Sequence, residues 1–189
     1  MPNDSSPAVF VDRDGTLMQE VNYCSDPQCV EVFPGVSKAL QRLKAAGYKI
    51  IVISNQAGIG RGYFTEAHYR LVEAEVARQV LPAVFDGVYF CPDHPERATN
   101  RRKPAPGMVL EAQRDHGIDL AHSFFVGDKA IDIECGRNAG LPTILVKTGY
   151  GTAEQGRAGA NWVVEDFPSA AELILALKDK NAPASPLAG

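Results

Sequence analysis

Short apolar, β-branched runs alternate along this chain with stretches of helical periodicity, and this alternation restricts the fold more than any other feature. A strand, a helix and a second strand are expected in turn at Ala8–Asp12, Pro34–Gly47 and Lys49–Ser54. Such segments bury their apolar faces well when helices cover a parallel sheet. The sequence therefore predicts an α/β fold with a mainly parallel sheet.

The alternation continues to the end of the chain. Further strands are expected at Asp86–Cys91, Ser123–Val126, Thr143–Val146 and Trp162–Val164, and further helices at Thr65–Val80, Pro106–Gly117, Lys129–Gly140 and Pro168–Lys178. The first two strands are apolar at successive positions, as expected for strands covered by helices on both faces. We therefore predict a doubly wound sheet, in which ligands bind outside the carboxyl ends of the strands.

Length and composition fit one domain. The chain has 189 residues, of which 45% are hydrophobic and 22% are charged, and this is a composition that can bury one core. We expect a single domain over residues 1–180. Residues 181–189 are rich in Pro and Ala, and we expect them to form a flexible tail.

Charge and hydropathy argue against several classes of partner. The net charge is −4, and the basic residues cluster only at 101–103, so no nucleic-acid partner is expected. No apolar run is long enough for a signal sequence or a membrane span, and we expect a cytoplasmic protein without a membrane partner. The four cysteines form no C-x-x-C pair, which favours reduced thiols.

Two carboxylates, Asp12 and Asp14, follow the first strand within the sequence VDRDGT. Gly15 allows the chain to leave the sheet sharply, so that both acids stay at the ligand-binding edge. A D-x-D-G-T sequence also occurs in acidic turns and calcium loops. Its position at the end of a strand favours a functional site.

A hydroxyl residue, Ser54, ends the second strand and precedes Asn55 and Gln56. A hydroxyl and the backbone N–H groups that follow it can hold phosphate oxygens, although Ser and Asn are also common turn residues. The glycine-rich stretch 58–62 lacks the spacing of a dinucleotide-binding loop. We predict a tight loop there, with Arg61 as a substrate contact.

Lys103 follows the third strand, and Asp128 and Asp132 follow the fourth. Taken singly, a loop lysine is usually solvated, and an aspartate before a helix usually caps it. Together, an acid pair, a hydroxyl, a lysine and a second acid pair follow four successive strands. This joint pattern indicates one site.

Charge balance in that site predicts magnesium. Asp12, Asp14 and Asp128 cannot crowd around a phosphate dianion without cations, which Mg²⁺ and the ammonium group of Lys103 would supply. We predict that Mg²⁺ binds a carboxylate oxygen of Asp12, the carbonyl of Asp14 and the carboxylate of Asp128. Asp132 is expected to orient metal-bound waters or Lys103.

These residues predict phosphoryl transfer. Asp12 would attack phosphorus and form an aspartyl-phosphate, which splits a slow hydrolysis into two faster steps. Asp14 would protonate the departing oxygen and then take a proton from the attacking water. Ser54 and Lys103 would hold the oxygens of the transferred group. The predicted activity is that of a magnesium-dependent phosphomonoesterase.

The four motifs resemble those of the haloacid-dehalogenase (HAD) superfamily of phosphatases, over nearly all of residues 8–166. Within it, FVDRDGT, SNQAGIGRG, CPDHP and RKPAPGM resemble the D-glycero-D-manno-heptose 1,7-bisphosphate phosphatases and the related histidinol-phosphatases. The resemblance implies a HAD-like Rossmannoid fold without a large cap domain. It also implies removal of the 7-phosphate from a heptose bisphosphate, with histidinol phosphate or another small sugar phosphate as the alternative substrate.

The resemblance also implies substrate contacts after the first acid pair and beside the motif lysine. The expected partner is a small phosphorylated metabolite, a sugar bisphosphate, bound by a monomeric enzyme. Together with the loop residues named above, the residues predicted to bind substrate are Arg13, Glu20, Val21, Asn22, Tyr23, Asn55, Gln56, Arg61, Arg102 and Lys129.

One loop departs from the family pattern. Many relatives hold a structural zinc there with Cys-x-His and a later Cys-x-Cys, whereas Asp93 stands here at the first histidine position and the later pair is absent. Cys91 and His94 alone cannot complete a tetrahedral site. We therefore expect Mg²⁺ as cofactor and no structural zinc.

Two other classes of protein combine acids with a phosphate site. A signalling receiver domain also forms an aspartyl-phosphate, but it lacks an acid two residues after the phosphorylated one, where Asp14 stands here. A non-catalytic phosphate-binding domain would not need acids in all these positions. Both are less favoured than the enzyme.

Overall fold

The structure is a computed structural model that describes residues 5–181. Six strands form one sheet in the order β3-β2-β1-β4-β5-β6, and every neighbouring pair is parallel. The predicted doubly wound α/β fold is thus confirmed. The strands are β1 (Ala8–Val11), β2 (Lys49–Asn55), β3 (Gly87–Cys91), β4 (Phe124–Gly127), β5 (Thr143–Val146) and β6 (Trp162–Val164).

Seven α-helices in the described residues connect and cover these strands. They are α1 (Val36–Ala45), α2 (Ala57–Gly60), α3 (Glu66–Gln79), α4 (Gly107–His116), α5 (Ala130–Asn138), α6 (Gly151–Ala158) and α7 (Phe167–Asn181). The five helices expected from the sequence all form, with bounds that differ by a few residues.

Helices α2 and α6 lie where none was expected. The first falls in a segment predicted as a tight loop, and its four residues include two glycines. The buried residues of α6 are Gly151, Glu154 and Ala158. They do not form the apolar periodicity from which a helix is predicted. Helix α7 extends to Asn181, so the predicted tail begins inside it, and residues 182–189 lie outside the described part of the chain.

The two faces of the central strand face two separate cores. Val9 and Val11 of β1 belong to a cluster that includes α1 and α7, whereas Ala8 and Phe10 pack on the side of α4. All four β1 side chains are fully buried. This explains why the strand is apolar at every position, since strands covered on both faces have no solvent side.

The order of the strands reverses between β1 and β4. The chain moves outward from β1 through β2 to β3, and then returns to place β4 on the other side of β1. The backbone N–H of Asp12 still bonds the Val126 carbonyl at 3.0 Å, so the residues after these two strands leave the sheet side by side. In open α/β sheets, ligands bind at such a switch point.

Within residues 5–181, no helix combines the length and the apolar character needed to span a bilayer. The single domain, the monomeric state and the cytoplasmic location remain predictions from the sequence.

Candidate active site

The ammonium group of Lys103 lies at the centre of a buried cluster beyond the carboxyl ends of the strands. Its Nζ contacts Oδ1 of Asp12, Oδ1 of Asp132 at 2.7 Å and the backbone carbonyl of Ile53 at 2.8 Å. Asp12 and the Ile53 carbonyl accept hydrogen bonds from the ammonium group, and Asp132 Oδ1 lies at ion-pair distance. Lys103 is 3% exposed and Asp12 is 5% exposed, so the ion pair is shielded from solvent and fixes the Asp12 carboxylate.

Asn55 positions the loop that carries Lys103. Its side-chain amide donates to the Lys103 carbonyl and its side-chain oxygen accepts from the Lys103 N–H, both at 3.0 Å. These two bonds tie the end of β2 to the loop before α4. Asn55 also lines the cleft described below, so its predicted contact with substrate stays a prediction, and in the structure its side chain holds the lysine loop.

Asp128 is fully buried between two glycines and has one oxygen left free. A Cβ atom on Gly15 or on Gly149 would lie 2.3 Å or 2.2 Å from its Oδ2. Glycine is therefore required at both positions. The Tyr150 N–H donates to Oδ2 at 2.9 Å, whereas Oδ1 has no hydrogen-bond partner among the described residues.

The charges of this cluster are strongly perturbed. Burial, followed by the charges of Asp12 and Asp132, raises the pKa of Asp128 to about 8. Burial acts to lower the pKa of Lys103, but the charges of Asp12 and Asp132 outweigh it and raise that pKa above its ordinary value. Lys103 therefore remains protonated, and an ionised Asp128 needs a further positive charge nearby.

The acids of the cluster fit a divalent metal ion. Carboxylate oxygens of Asp12, Asp128 and Asp132 lie within 4.8 Å of one another, and magnesium prefers oxygen ligands. Three carboxylates and the single ammonium of Lys103 leave two negative charges uncompensated, which one divalent cation neutralises. The free Oδ1 of Asp128 is an unused ligand atom of the right kind.

Asp14 belongs to a different network from Asp12. Its Oδ2 accepts hydrogen bonds from Gln56 Nε2 at 2.9 Å and from Arg13 Nη2 at 3.0 Å. Gln56 Nε2 also donates to Ser54 Oγ at 2.7 Å. Arg13, predicted as a substrate contact, is fully buried, and it cannot reach a ligand in the cleft. It contacts the Asp14 carboxylate instead.

A cleft of about 240 Å³ opens beside these acids. It brings together the predicted stretch 20–23, the last residue of β2 with the three residues that follow it, and the lysine that precedes α5. The residues that line it are Asp14, Glu20, Val21, Asn22, Tyr23, Cys24, Asn55, Gln56, Ala57, Gly58, Lys129 and Tyr150.

Among the residues that line the cleft, Lys129 is the only lysine or arginine. Its Nζ lies 2.7 Å from Glu20 Oε2 and 4.6 Å from the centre of the Tyr150 ring. The other three cations predicted to bind substrate, the buried Arg13 among them, do not line the cleft. Arg61 is exposed, and Arg102 Nη1 donates to the Asp93 carbonyl at 3.2 Å.

Tyr150 is a site residue that the sequence reasoning missed. Its backbone holds Asp128, and its ring lines the cleft beneath Lys129. A signal was available, because Gly149 and Tyr150 come shortly after β5, another strand whose carboxyl end meets this edge of the sheet.

The loop after β3 is closed by hydrogen bonds. Asp93 Oδ2 accepts from both the backbone N–H and the hydroxyl of Thr99, at 2.7 Å and 2.6 Å. Cys91 is fully buried in the core on the α4 side of the sheet. His94 Nδ1 accepts from the Glu96 N–H at 3.3 Å. In residues 5–181, the only group of three or more potential metal-ligating residues is Asp12, Asp128 and Asp132.

Known proteins share this sequence and geometry. Residues 100–170 match the HAD-hydrolase-like family model. A D-glycero-D-manno-heptose-1,7-bisphosphate 7-phosphatase of Thermosynechococcus vestitus is 42% identical, and the match covers 89% of this chain and 95% of the relative. The chain belongs to the HAD superfamily of phosphatases. The 7-phosphatase of Escherichia coli K12 is 36% identical over 95% of this chain and 98% of the relative.

Solved structures of HAD phosphatases agree. A D,D-heptose 1,7-bisphosphate phosphatase from B. bronchiseptica, complexed with magnesium and phosphate, superposes with a TM-score of 0.84 at 30% identity. The match covers 90% of this chain and 99% of that one. The family resemblance and the enzyme class predicted from the sequence, a phosphoric monoester hydrolase, are confirmed.

The packing of Asp128 against Gly15 makes a testable prediction. Gly15 has a φ of +88°, so Gly15→Ala introduces left-handed strain of about 1–2 kcal/mol. It also forces the Asp128 carboxylate to move, and we expect phosphatase activity to fall about 100-fold, as for a misplaced catalytic group. Steady-state phosphate release and thermal melting would measure the two effects.

Gly117→Ala is the matched control, since Gly117 has a φ of +60° but open space where the Cβ atom of an alanine would lie. It should lose some stability and keep its activity. Equal activity in Gly15→Ala and Gly117→Ala would contradict the role given to the Asp128 packing.

Proposed function

We propose that the protein is a magnesium-dependent phosphatase that removes the 7-phosphate of a D-glycero-D-manno-heptose 1,7-bisphosphate through an aspartyl-phosphate on Asp12. The observation that carries the proposal is the buried ion pair of Asp12 with Lys103, beside a cleft at the switch point of the sheet. The substrate is inferred from relatives of that name, which align over nearly the whole chain.

Asp12 is suited to act as the nucleophile because its orientation is fixed before substrate binds. The contact of Asp12 Oδ1 with Lys103 restricts the carboxylate and leaves the other oxygen free to attack phosphorus. As the phosphoryl group transfers, the same ammonium group stabilises charge on its oxygens. Asp132, which contacts Lys103 directly, keeps the ammonium in place.

Asp14 is suited to the proton transfers. Its carboxylate lines the cleft, while Arg13 and Gln56 hold it in a network separate from that of Asp12. In the first step it donates a proton to the oxygen of the departing alcohol. In the second it accepts a proton from the water that hydrolyses the aspartyl-phosphate. Ser54, beside it, is placed to donate to a phosphoryl oxygen.

Asp12 and Asp128 would hold the magnesium ion, together with the backbone carbonyl of Asp14. When bound, Mg²⁺ neutralises the negative charge that accumulates on the acids and the phosphoryl group. We propose no structural zinc, because Asp93 stands where the family pattern expects a histidine ligand and its carboxylate is already hydrogen-bonded to Thr99.

Lys129 is proposed to bind the second phosphate of the substrate. It is the cation in the cleft lining, and its ammonium group forms an ion pair with the Glu20 carboxylate. A charge-assisted bond to the distal phosphate anchors the sugar and places the 7-phosphate in line with Asp12.

A substrate panel tests the proposed function. We expect the catalytic efficiency, kcat/KM, to be highest on the heptose 1,7-bisphosphate, with phosphate released from position 7 and the 1-phosphate retained. Phosphate release and mass analysis of the product would measure this. Asp12→Asn, which lacks the nucleophile, is the blank and should show no turnover. A higher efficiency on histidinol phosphate would transfer the assignment to that substrate, and turnover by Asp12→Asn would exclude the covalent mechanism.

Removing the charge of Lys129 tests the distal phosphate site. Lys129→Gln should lower kcat/KM on the bisphosphate by about 10-fold to 100-fold, the value of a charged hydrogen bond, and affect p-nitrophenyl phosphate less. Lys38→Gln, on the exposed face of α1, is the matched control. A selective loss in Arg102→Ala but not in Lys129→Gln would place the second phosphate at Arg102 instead.

The metal site predicts a stability order that reverses with magnesium. The pKa of Asp128 is raised from 3.8 to about 8, so the native state binds its proton more tightly than the unfolded state does. Without metal, stability due to this group is therefore lost as the pH rises from about 4 to about 8. In EDTA at pH 8, Asp128→Asn should melt about 4 °C or more above wild type. Near pH 4, in EDTA, the two proteins should melt at the same temperature.

Added Mg²⁺ should stabilise wild type and leave Asp128→Asn unchanged, because a ligand stabilises only the state that binds it. Glu134→Gln, an exposed acid on α5, should behave as wild type throughout. Equal stabilisation of Asp128→Asn by Mg²⁺ would remove Asp128 from the metal site.

A further inference from the structure

A guanidinium group is buried directly behind Asp14. Arg13 is fully buried, and its Nε and Nη2 donate three hydrogen bonds to the two oxygens of the Asp14 carboxylate, at 2.9–3.2 Å. This side-on arrangement orients the carboxylate as well as attracting it. The direction in which Asp14 faces the cleft therefore depends on what holds Arg13.

Two residues of α3 hold Arg13 from the other side. Glu73 Oε2 accepts from Arg13 Nη1 at 3.2 Å and from the Tyr69 hydroxyl at 3.1 Å. The centre of the Arg13 guanidinium lies 5.3 Å from the centre of the Tyr69 ring. Tyr69 is fully buried and Glu73 is 8% exposed, so this contact is not weakened by solvent.

Glu73 is the buried acid of α3, and its hydrogen-bond partners in the described structure are Arg13 and Tyr69. Its helix carries exposed acids that pair with arginines on the outer surface, such as Glu66 with Arg70. Glu73, by contrast, points into the interior. Burial of a carboxylate there is costly unless a cation faces it. Arg13 is that cation, and Asp14 is its other partner.

We propose that Glu73, supported by Tyr69, is a positioning residue that orients Arg13 and, through it, the proton-transferring carboxylate of Asp14. The proposal rests on the proposed function, because it assigns a role within the same reaction. Without the negative charge of Glu73, the guanidinium can turn or shift toward another acceptor, and the Asp14 carboxylate follows it. Helix α3 thereby becomes part of the acid–base machinery although it does not touch the cleft.

The leaving group distinguishes this role from a structural one. Cleavage of an alkyl phosphate needs a proton donor for the departing alkoxide, whereas p-nitrophenolate leaves without one. Since kcat/KM reports on steps up to formation of the aspartyl-phosphate, a misplaced Asp14 lowers it for the alkyl ester alone. Glu73→Gln, which keeps the shape and removes the charge, should lower kcat/KM on the heptose bisphosphate about 10-fold or more. Its kcat/KM on p-nitrophenyl phosphate should remain that of wild type.

A second readout is the coupling between Glu73 and Asp14. If Glu73 acts through Asp14, then Glu73→Gln should cause no further loss on the alkyl ester in an Asp14→Asn background. Glu75→Gln is the matched control, because Glu75 lies on the same helix and pairs with Arg78 at the surface. It should not alter either substrate.

Each outcome decides the proposal. Equal losses of Glu73→Gln on both substrates, no loss on either, or additive losses with Asp14→Asn would overturn it while leaving the phosphatase assignment intact. A wild-type enzyme inactive on both substrates would overturn the proposed function and this inference with it. If Glu73→Gln does not fold, as judged by circular dichroism, Tyr69→Phe removes one bond to Glu73 and should show the same selective loss. An unselective loss in that variant would equally contradict the proposal.

Discussion

The buried ammonium group of Lys103 is the interaction on which the site depends. It contacts Asp12 and Asp132 together, and without it these acids would repel one another in an environment that stabilises no charge. The three residues come from the loop before α4, from the end of β1 and from α5. The nucleophile is therefore placed correctly only when the whole sheet has folded. The ion pairs of Lys103 in turn hold the loop before α4, the end of β1 and α5 together.

The two acids of the first motif are only two residues apart, yet they belong to separate networks. Asp12 contacts an ammonium group in a dry environment, whereas Asp14 lines the cleft and contacts Arg13 and Gln56. Different surroundings give like groups different chemical roles. Here they suit one carboxylate for attack on phosphorus and the other for proton transfer. Arg13, which lies between them in the sequence, serves the second role because its side chain turns into the interior.

Few residues in the cleft can select the substrate. The cleft is formed by short segments, and its lining includes one cation, Lys129. In an open cleft of this kind, binding energy must come from a small number of strong polar contacts, since little apolar surface is enclosed. A substrate with a second phosphate supplies such a contact, and a neutral substrate does not. The positive charge of Lys129 would complement a second phosphate on the proposed substrate.

The sequence by itself determined the fold class and the acids, hydroxyl and lysine of the site, because apolar periodicity and the order of motifs after strands are local properties. It also contained Tyr150 and Glu73. The position of Tyr150 shortly after β5 was a weak signal, and no pattern marked Glu73. Tyr150 acts through a backbone N–H and a ring whose neighbours are distant in sequence. Arg13 looked like a substrate contact, and only packing against α3 showed that it faces inward. Which side chains meet across elements depends on how the helices pack on the sheet, and that is decided by tertiary structure.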